Sequence, residues 1–172
     1  MQQCFLSKSL LHILTSSFSQ LPIQREKWER VSNKTLDLLL LRSKIIVDMI
    51  QPLDKFPLMS KYKKVFPNID KNTVIAYDGK IYCNNKLPDH LIIHETQHLK
   101  QQEKIGLYEW VERYLNDVDF RLRMEIDAYK TQIYSIKDRE ARNKVRLQSA
   151  NALSSPLYNS LININEAMKL LK

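Results

Sequence analysis

The sequence predicts an α+β fold that is mostly α, and three observations carry that prediction. Apolar residues recur at helical spacing along most of the chain. One short stretch, "TVIAYDGKIYCNN", reads as a β-hairpin. Only two glycines and six prolines stand among 172 residues, too few for a many-turned all-β chain. The expected architecture is a motif-bearing helix packed on a small hairpin or sheet, with further helices at both ends.

Residues 4–18 and about 24–50 are expected as helices. The opening "MQQCFLSKSLLHILTSSFSQ" reads as an amphipathic helix rather than a signal peptide: no positive residue precedes its apolar part, and Lys8 and His12 interrupt it. Leu36, Leu39, Leu40, Ile46 and Met49 give the second helix a buried face. Asp37, Arg42, Lys44 and Asp48 keep that stretch from spanning a bilayer, and no other run is long enough. Pro52, Pro57 and Pro67 then break the chain into loop and short helical turns.

The hairpin over 73–85 follows from Val74, Ile75, Tyr77, Ile81 and Tyr82, which suit strands, and from Asp78-Gly79, which tolerates positive φ at a tight turn. Pro88 and Asp89 start a helix that runs to about Glu103, and Gly106 is its natural stop. A helical pattern resumes after Gly106, with a break near Asn116-Asp117. Leu122, Ile126, Tyr129 and Ile133 then form one apolar stripe. A basic helix is expected from Asp138 to about Ala152, then a turn at "SSPLYNS" and a last short helix at "NEAMKLL". This divides the chain into an N-terminal helical segment over 1–56, a core over 57–137 and basic C-terminal helices over 138–172, packed as one compact domain.

The net charge of +8 is spread along the chain and mixed with acids, so it reads first as a solvated basic surface. Two cysteines, Cys4 and Cys83, are too few for a disulfide framework and form no CxxC pair. Free thiols in a reducing cytoplasm are the expectation.

The chemistry concentrates in "PDHLIIHETQHLKQQEKIG". His94 and His98 are four apart and therefore share one helix face, one turn from each other. Glu95 is rotated about 100° from His94, where it flanks an ion held by the histidines rather than binding it. That arrangement lets a carboxylate take a proton from activated water. Leu91, Ile92, Ile93 and Leu99 bury the helix here, and buried imidazoles need partners, which a metal supplies. His90 lies about 12 Å along the helix from His98, too far to share a small ion, and reads as a first-turn residue or a partner behind the ligands.

A catalytic zinc needs a third protein ligand and an open position. The best candidate is Glu125 in "RMEIDAYKTQ", where Ala128 at i+3 permits close packing and Tyr129 lies at i+4. Asp127 is a rival, rotated about 200° from Glu125. Asp117 and Asp119, beside the helix break, are weaker rivals.

"LIIHETQHLKQQ" followed by "MEIDAY" resembles the gluzincin class of zinc metallopeptidases, in particular small phage-borne proteins of HExxH…ExxAY type. The resemblance covers about residues 73–134. It implies a zincin-like core, Zn²⁺ held by His94, His98 and Glu125, and Glu95 as catalytic base. It also implies that an edge strand, 73–78 or 80–85, holds an extended peptide or protein substrate. Two positions depart from the class: Lys100 stands where an apolar residue is usual, and Tyr129 stands where some members carry an acid that steadies a histidine.

The expected reaction is peptide-bond hydrolysis, with Glu95 accepting a proton from water and returning it to the leaving amine. Tyr129 is the candidate donor to the developing oxyanion, ahead of Tyr108 and Tyr114. A second reading is a virion- or assembly-associated structural protein that keeps the metal site with little or no turnover. A third is nucleic-acid contact through Arg139, Arg142, Lys144 and Arg146.

Overall fold

The computed structural model describes residues 48–172. The two N-terminal helices expected from the sequence, and Cys4, lie outside these residues. The described part is mostly helical, with six helices and one three-stranded sheet. In chain order the strands and helices are β1 (Ile50–Gln51), α1 (Met59–Val65), β2 (Ile75–Tyr77), β3 (Lys80–Tyr82), α2 (Asp89–Ile105), α3 (Leu107–Asn116), α4 (Val118–Ser135), α5 (Arg139–Ser154) and α6 (Ile164–Leu170). Short 3₁₀ turns occupy Leu53–Lys55 and Pro156–Tyr158. Among the described residues no helix is long and apolar enough to cross a membrane.

The hairpin forms as its turn residues dictate. Asp78 and Gly79 both take positive φ, at 49° and 72°, as a two-residue type I′ turn requires. β2 and β3 pair antiparallel, with Ala76 opposite Ile81. The third strand was not expected. Ile50 and Gln51 continue the helical periodicity but pair parallel with Ile81 and Tyr82. Pro52 explains the switch, because its ring disfavours the α conformation at the preceding residue. The sheet order is β1-β3-β2, so β3 is central and β2 is the strand left at an edge among the described residues. Of the two segments considered for an edge strand, 80–85 is therefore excluded.

Gly106 ends α2 at φ +100° and starts α3 at once, a backbone setting that a residue with a Cβ reaches only under strain. Asp117, Asp138 and Asn163 cap α4, α5 and α6, each accepting from a backbone amide of the first turn. Such caps stabilise by roughly 1 kcal/mol each.

The core has three parts. Leu53, Phe56, Tyr62, Phe66, Trp110, Tyr114 and Phe120 belong to an aromatic cluster joining the loop region, α1, the sheet and α3. Tyr129, Ile133, Val145, Leu153 and Leu171 join α4 to α5 and α6, with Leu122 and Ile126 packed against them as the stripe predicts. Ile81, Cys83 and Leu87 lie under the N-terminal half of α2. Gln102 fastens the hairpin to α2: its Nε2 donates to Ala76 O at 2.8 Å and its Oε1 accepts from Asp78 N at 3.1 Å. The edge strand is thus held beside the motif turn of the helix.

Candidate metal centre

Three buried side chains from two helices converge. His94 and His98 project from adjacent turns of α2, and Glu125 projects from the middle of α4. The Nε2 atoms of the histidines are 3.1 Å apart. Glu125 Oε1 lies 3.3 Å from His98 Nε2, and its Oε2 lies 3.6 Å from His94 Nε2. Ligands about 2.0–2.1 Å from a tetrahedral ion stand roughly 3.3–3.4 Å from one another, so the spacing fits one small cation. These residues form the single such group among the described residues.

The burial pattern independently calls for a cation. Glu125 is 0% exposed, and its Oε2 has no hydrogen-bond partner. A buried carboxylate oxygen left unpaired is costly unless positive charge faces it. In the metal-free protein His98 supplies that charge. Burial opposes its protonation, but the Glu125 carboxylate outweighs it and raises the His98 pKa to about 9. Burial likewise pushes the Glu125 pKa up, yet the two histidines hold it well below the usual carboxylate range. Tyr114 donates to Glu125 Oε1 at 2.5 Å and is stacked on Trp110, which fixes the carboxylate from behind.

Glu95 is buried beside the cluster, 6% exposed. Burial is the main influence on its pKa and raises it, against the pull of His94 and His98 and of a hydrogen bond with the Ala76 backbone on β2. A carboxylate displaced upward is suited to taking and returning a proton near neutral pH. His94, Glu95, His98 and Glu125 all line a cavity of about 240 Å³. Its remaining wall includes Ile75 and Ala76 of the edge strand and the aromatic residues Tyr62, Phe66, Trp110 and Tyr158.

The rival carboxylates are elsewhere. Asp117 is spent as the cap of α4, accepting from Phe120 N at 2.9 Å. Asp119 is exposed in the first turn of that helix. Asp127 is exposed and accepts from Gln97 Nε2 at 2.8 Å. His90 is outside the cluster, bonded through Nδ1 to Gln132 Nε2 at 2.9 Å.

The structure places the three candidate tyrosines in different surroundings. Tyr108 is 80% exposed and takes no part. Tyr114 serves Glu125. Tyr129 lines the cavity with its ring 4.4 Å from that of His94, and its hydroxyl is hydrogen-bonded to Tyr158 OH at 3.3 Å. Tyr158 therefore enters the site from the C-terminal region. It sits on the 3₁₀ turn after α5, which is fastened by Asn68 Nδ2 to Pro156 O at 3.2 Å and by Asn159 Nδ2 to Val65 O at 3.0 Å. Sequence reasoning missed it, since "SSPLYNS" carries only turn signals.

The basic stretch after Asp138 is partly structural. Arg142 donates to Ile136 O and Lys137 O, and Arg146 donates to Leu171 O, while Arg139 and Lys144 are exposed. Cys83 is a buried free thiol.

No protein-family model, curated protein or solved structure matches the chain. What the residues themselves establish is a buried His-His-Glu group able to hold a metal ion.

Proposed function

We propose that this chain is a zinc-dependent metallopeptidase of gluzincin type, with a zincin-like core formed by the sheet, α2 and α4. The observation that carries this reading is the convergence of His94 Nε2, His98 Nε2 and a fully buried Glu125 carboxylate, with Glu95 one residue along and facing the same cavity. Two imidazoles and one carboxylate are a donor set suited to zinc, and three protein ligands leave a tetrahedral ion one open position. Bound zinc supplies Lewis acidity, which polarises a substrate carbonyl and makes water nucleophilic near neutral pH.

The chain's own residues do the rest. Gln102 occupies the Ala76 carbonyl and the Asp78 amide on the outer edge of β2 and holds that strand beside Glu95, so an extended peptide pairs with the edge on the Val74 side, where the strand lines the cavity. Glu95 takes the proton from water as the carbonyl carbon is attacked and passes it to the leaving amine. Tyr158, which lines the cavity with its hydroxyl hydrogen-bonded to that of Tyr129, donates to the oxyanion.

The test pairs metal analysis with cleavage of a mixed peptide library. One zinc per chain is expected, with hydrolysis in the wild type. Glu95→Gln should keep the zinc and lose hydrolysis. Zinc retained by a wild type that cleaves nothing would favour the assembly-associated reading, and full activity in Glu95→Gln would refute the mechanism.

A further inference from the structure

We infer that Gln101 is a positioning residue for the metal: it sets His98 with its proton on Nδ1 and its Nε2 lone pair free, and it ties that setting to the helix bearing Glu125. The inference rests on the metal-binding part of the reading above and not on peptidase activity.

The argument starts from the Gln101 amide. Its Nε2 donates to Met124 O at 3.0 Å and to Asp127 Oδ2 at 2.8 Å. A backbone carbonyl and a carboxylate can only accept, so the amide cannot be flipped without losing both bonds. Its Oε1 must then face the other way, and it lies 2.9 Å from His98 Nδ1. An oxygen there requires a donor, so Nδ1 carries a proton. In a neutral imidazole the lone pair then falls on Nε2, the atom 3.1 Å from His94 Nε2 and 3.3 Å from Glu125 Oε1. The amide thereby selects the tautomer that can bind an ion at the convergence point.

The same geometry explains why the residue is a glutamine. One end must accept from imidazole while the other donates twice, which a carboxylate cannot do. Gln101 is 6% exposed and belongs to α2, whereas its two acceptors flank Glu125 on α4. Asp127 is itself held by Gln97 Nε2, so the outer end of the chain of bonds is anchored. His94 has no such support. Its Nδ1 is buried without a hydrogen-bond partner, and the Tyr129 ring steadies it by packing alone. The hydrogen-bonded support is thus on His98 alone, and His94 is held by an aromatic ring.

The test measures zinc affinity by competition with a chromophoric chelator, and the His98 tautomer by ¹⁵N–¹H correlation of the zinc-loaded protein and of the metal-free protein at pH 10. Gln101→Met keeps the volume of the side chain and should weaken zinc about 10- to 100-fold, the range found for partners that orient a ligating histidine. The metal-free His98 should turn from an Nδ1–H form into a mixture. Gln101→Glu should also weaken zinc, although it retains the acceptor. Gln132→Met, which alters another buried glutamine on α4 bonded to a histidine outside the cluster, should leave zinc affinity within twofold. Asp127→Ala, at an exposed position, should weaken zinc severalfold and serves if Gln101→Met does not fold. Zinc affinity within twofold of wild type in the Gln101 and Asp127 variants, with His98 still an Nδ1–H tautomer, overturns the inference alone. A wild type without zinc affinity overturns both this inference and the reading beneath it.

Discussion

Tyr114 and Glu125 stand eleven residues apart in sequence, on consecutive helices, and are joined by a buried hydrogen bond of 2.5 Å from the phenol to Oε1. The bond settles how a fully buried carboxylate keeps one orientation. α3 ends at Asn116 and α4 starts at Val118, so the two helices meet at a single capped turn that brings the phenol over the acid. Trp110 stacks on the Tyr114 ring at 4.5 Å and removes its freedom to swing. Tyr114→Phe keeps the stack and loses the donor. We expect zinc affinity to fall about tenfold, as for other partners of metal ligands, with little change in far-ultraviolet circular dichroism. Competition against a chelator of known affinity measures it.

The His98–Glu125 pair sets a pH dependence of definite sign. The folded pKa of His98, about 9, is above its ordinary value of 6.5, so the pair's contribution to the metal-free protein is complete below pH 6.5 and is lost as pH rises through 9. Zinc requires the neutral imidazole. Its binding must therefore expel one proton at neutral pH, and its apparent affinity should rise about tenfold per pH unit up to about pH 9. Urea midpoints of the metal-free protein should fall from pH 6.5 to 9.5 while zinc affinity climbs. Calorimetry at pH 7 in buffers of different ionisation enthalpy counts the proton.

Metal removal should be visible in stability. A ligand that binds the folded state at a thousandfold excess over Kd adds about 4 kcal/mol. For a chain of this length that corresponds to roughly 8–16 °C in Tm. Excess zinc should raise the wild-type Tm by that order relative to the chelated protein, and should have no such effect on His98→Ala or Glu125→Ala. Differential scanning calorimetry with and without a chelator decides it.

Tyr158→Phe separates the two hydroxyls at the cavity. Loss of an oxyanion donor costs about 10²–10³ in kcat, so we expect a fall of that order on any peptide the wild type cleaves, with zinc content unchanged. Tyr129→Phe removes only the hydroxyl bonded to Tyr158 and should cost less than tenfold. Equal losses, or a larger one at Tyr129, would restore Tyr129 to the donor role that sequence reasoning gave it.

These variants also mark how far the sequence could be read. The helix carrying His94 and His98, its glycine stop, the hairpin turn at Asp78-Gly79 and the break at Asp117 are local, because each depends on residues within a turn or two of one another. That Glu125 joins the two histidines was legible because helical spacing places it with Ala128, which the structure buries completely and which lets the helices approach. Tyr158 and Gln101 were not legible. Tyr158 reaches the cavity through a loop fastened across a long sequence separation, by Asn68 to Pro156 O and by Asn159 to Val65 O at the end of α1. Gln101 looks like a solvent-facing polar residue until its acceptors on α4 are known. β1 was missed because a proline's effect on its neighbour overrode helical periodicity.

The last prediction concerns Gln102, which joins the edge strand to the motif helix. Its two hydrogen bonds go to the backbone of Ala76 and Asp78, on either side of Tyr77. No other side chain among the described residues bonds to those two backbone groups, so Gln102→Leu leaves a buried carbonyl and a part-buried amide without partners. Each such orphan costs about 1–3 kcal/mol, and a total loss of roughly 2–4 kcal/mol is expected. The effect on function should be selective. His94, His98 and Glu125 do not depend on Gln102 for any hydrogen bond, so zinc affinity should stay within a few-fold of wild type. β2 would loosen from α2, and KM for an extended peptide held along that strand should rise at least tenfold with kcat less affected. Amide hydrogen exchange at Ala76 and Tyr77, read beside the kinetics, tests the cause: faster exchange with unchanged KM would mean that β2 does not hold the substrate.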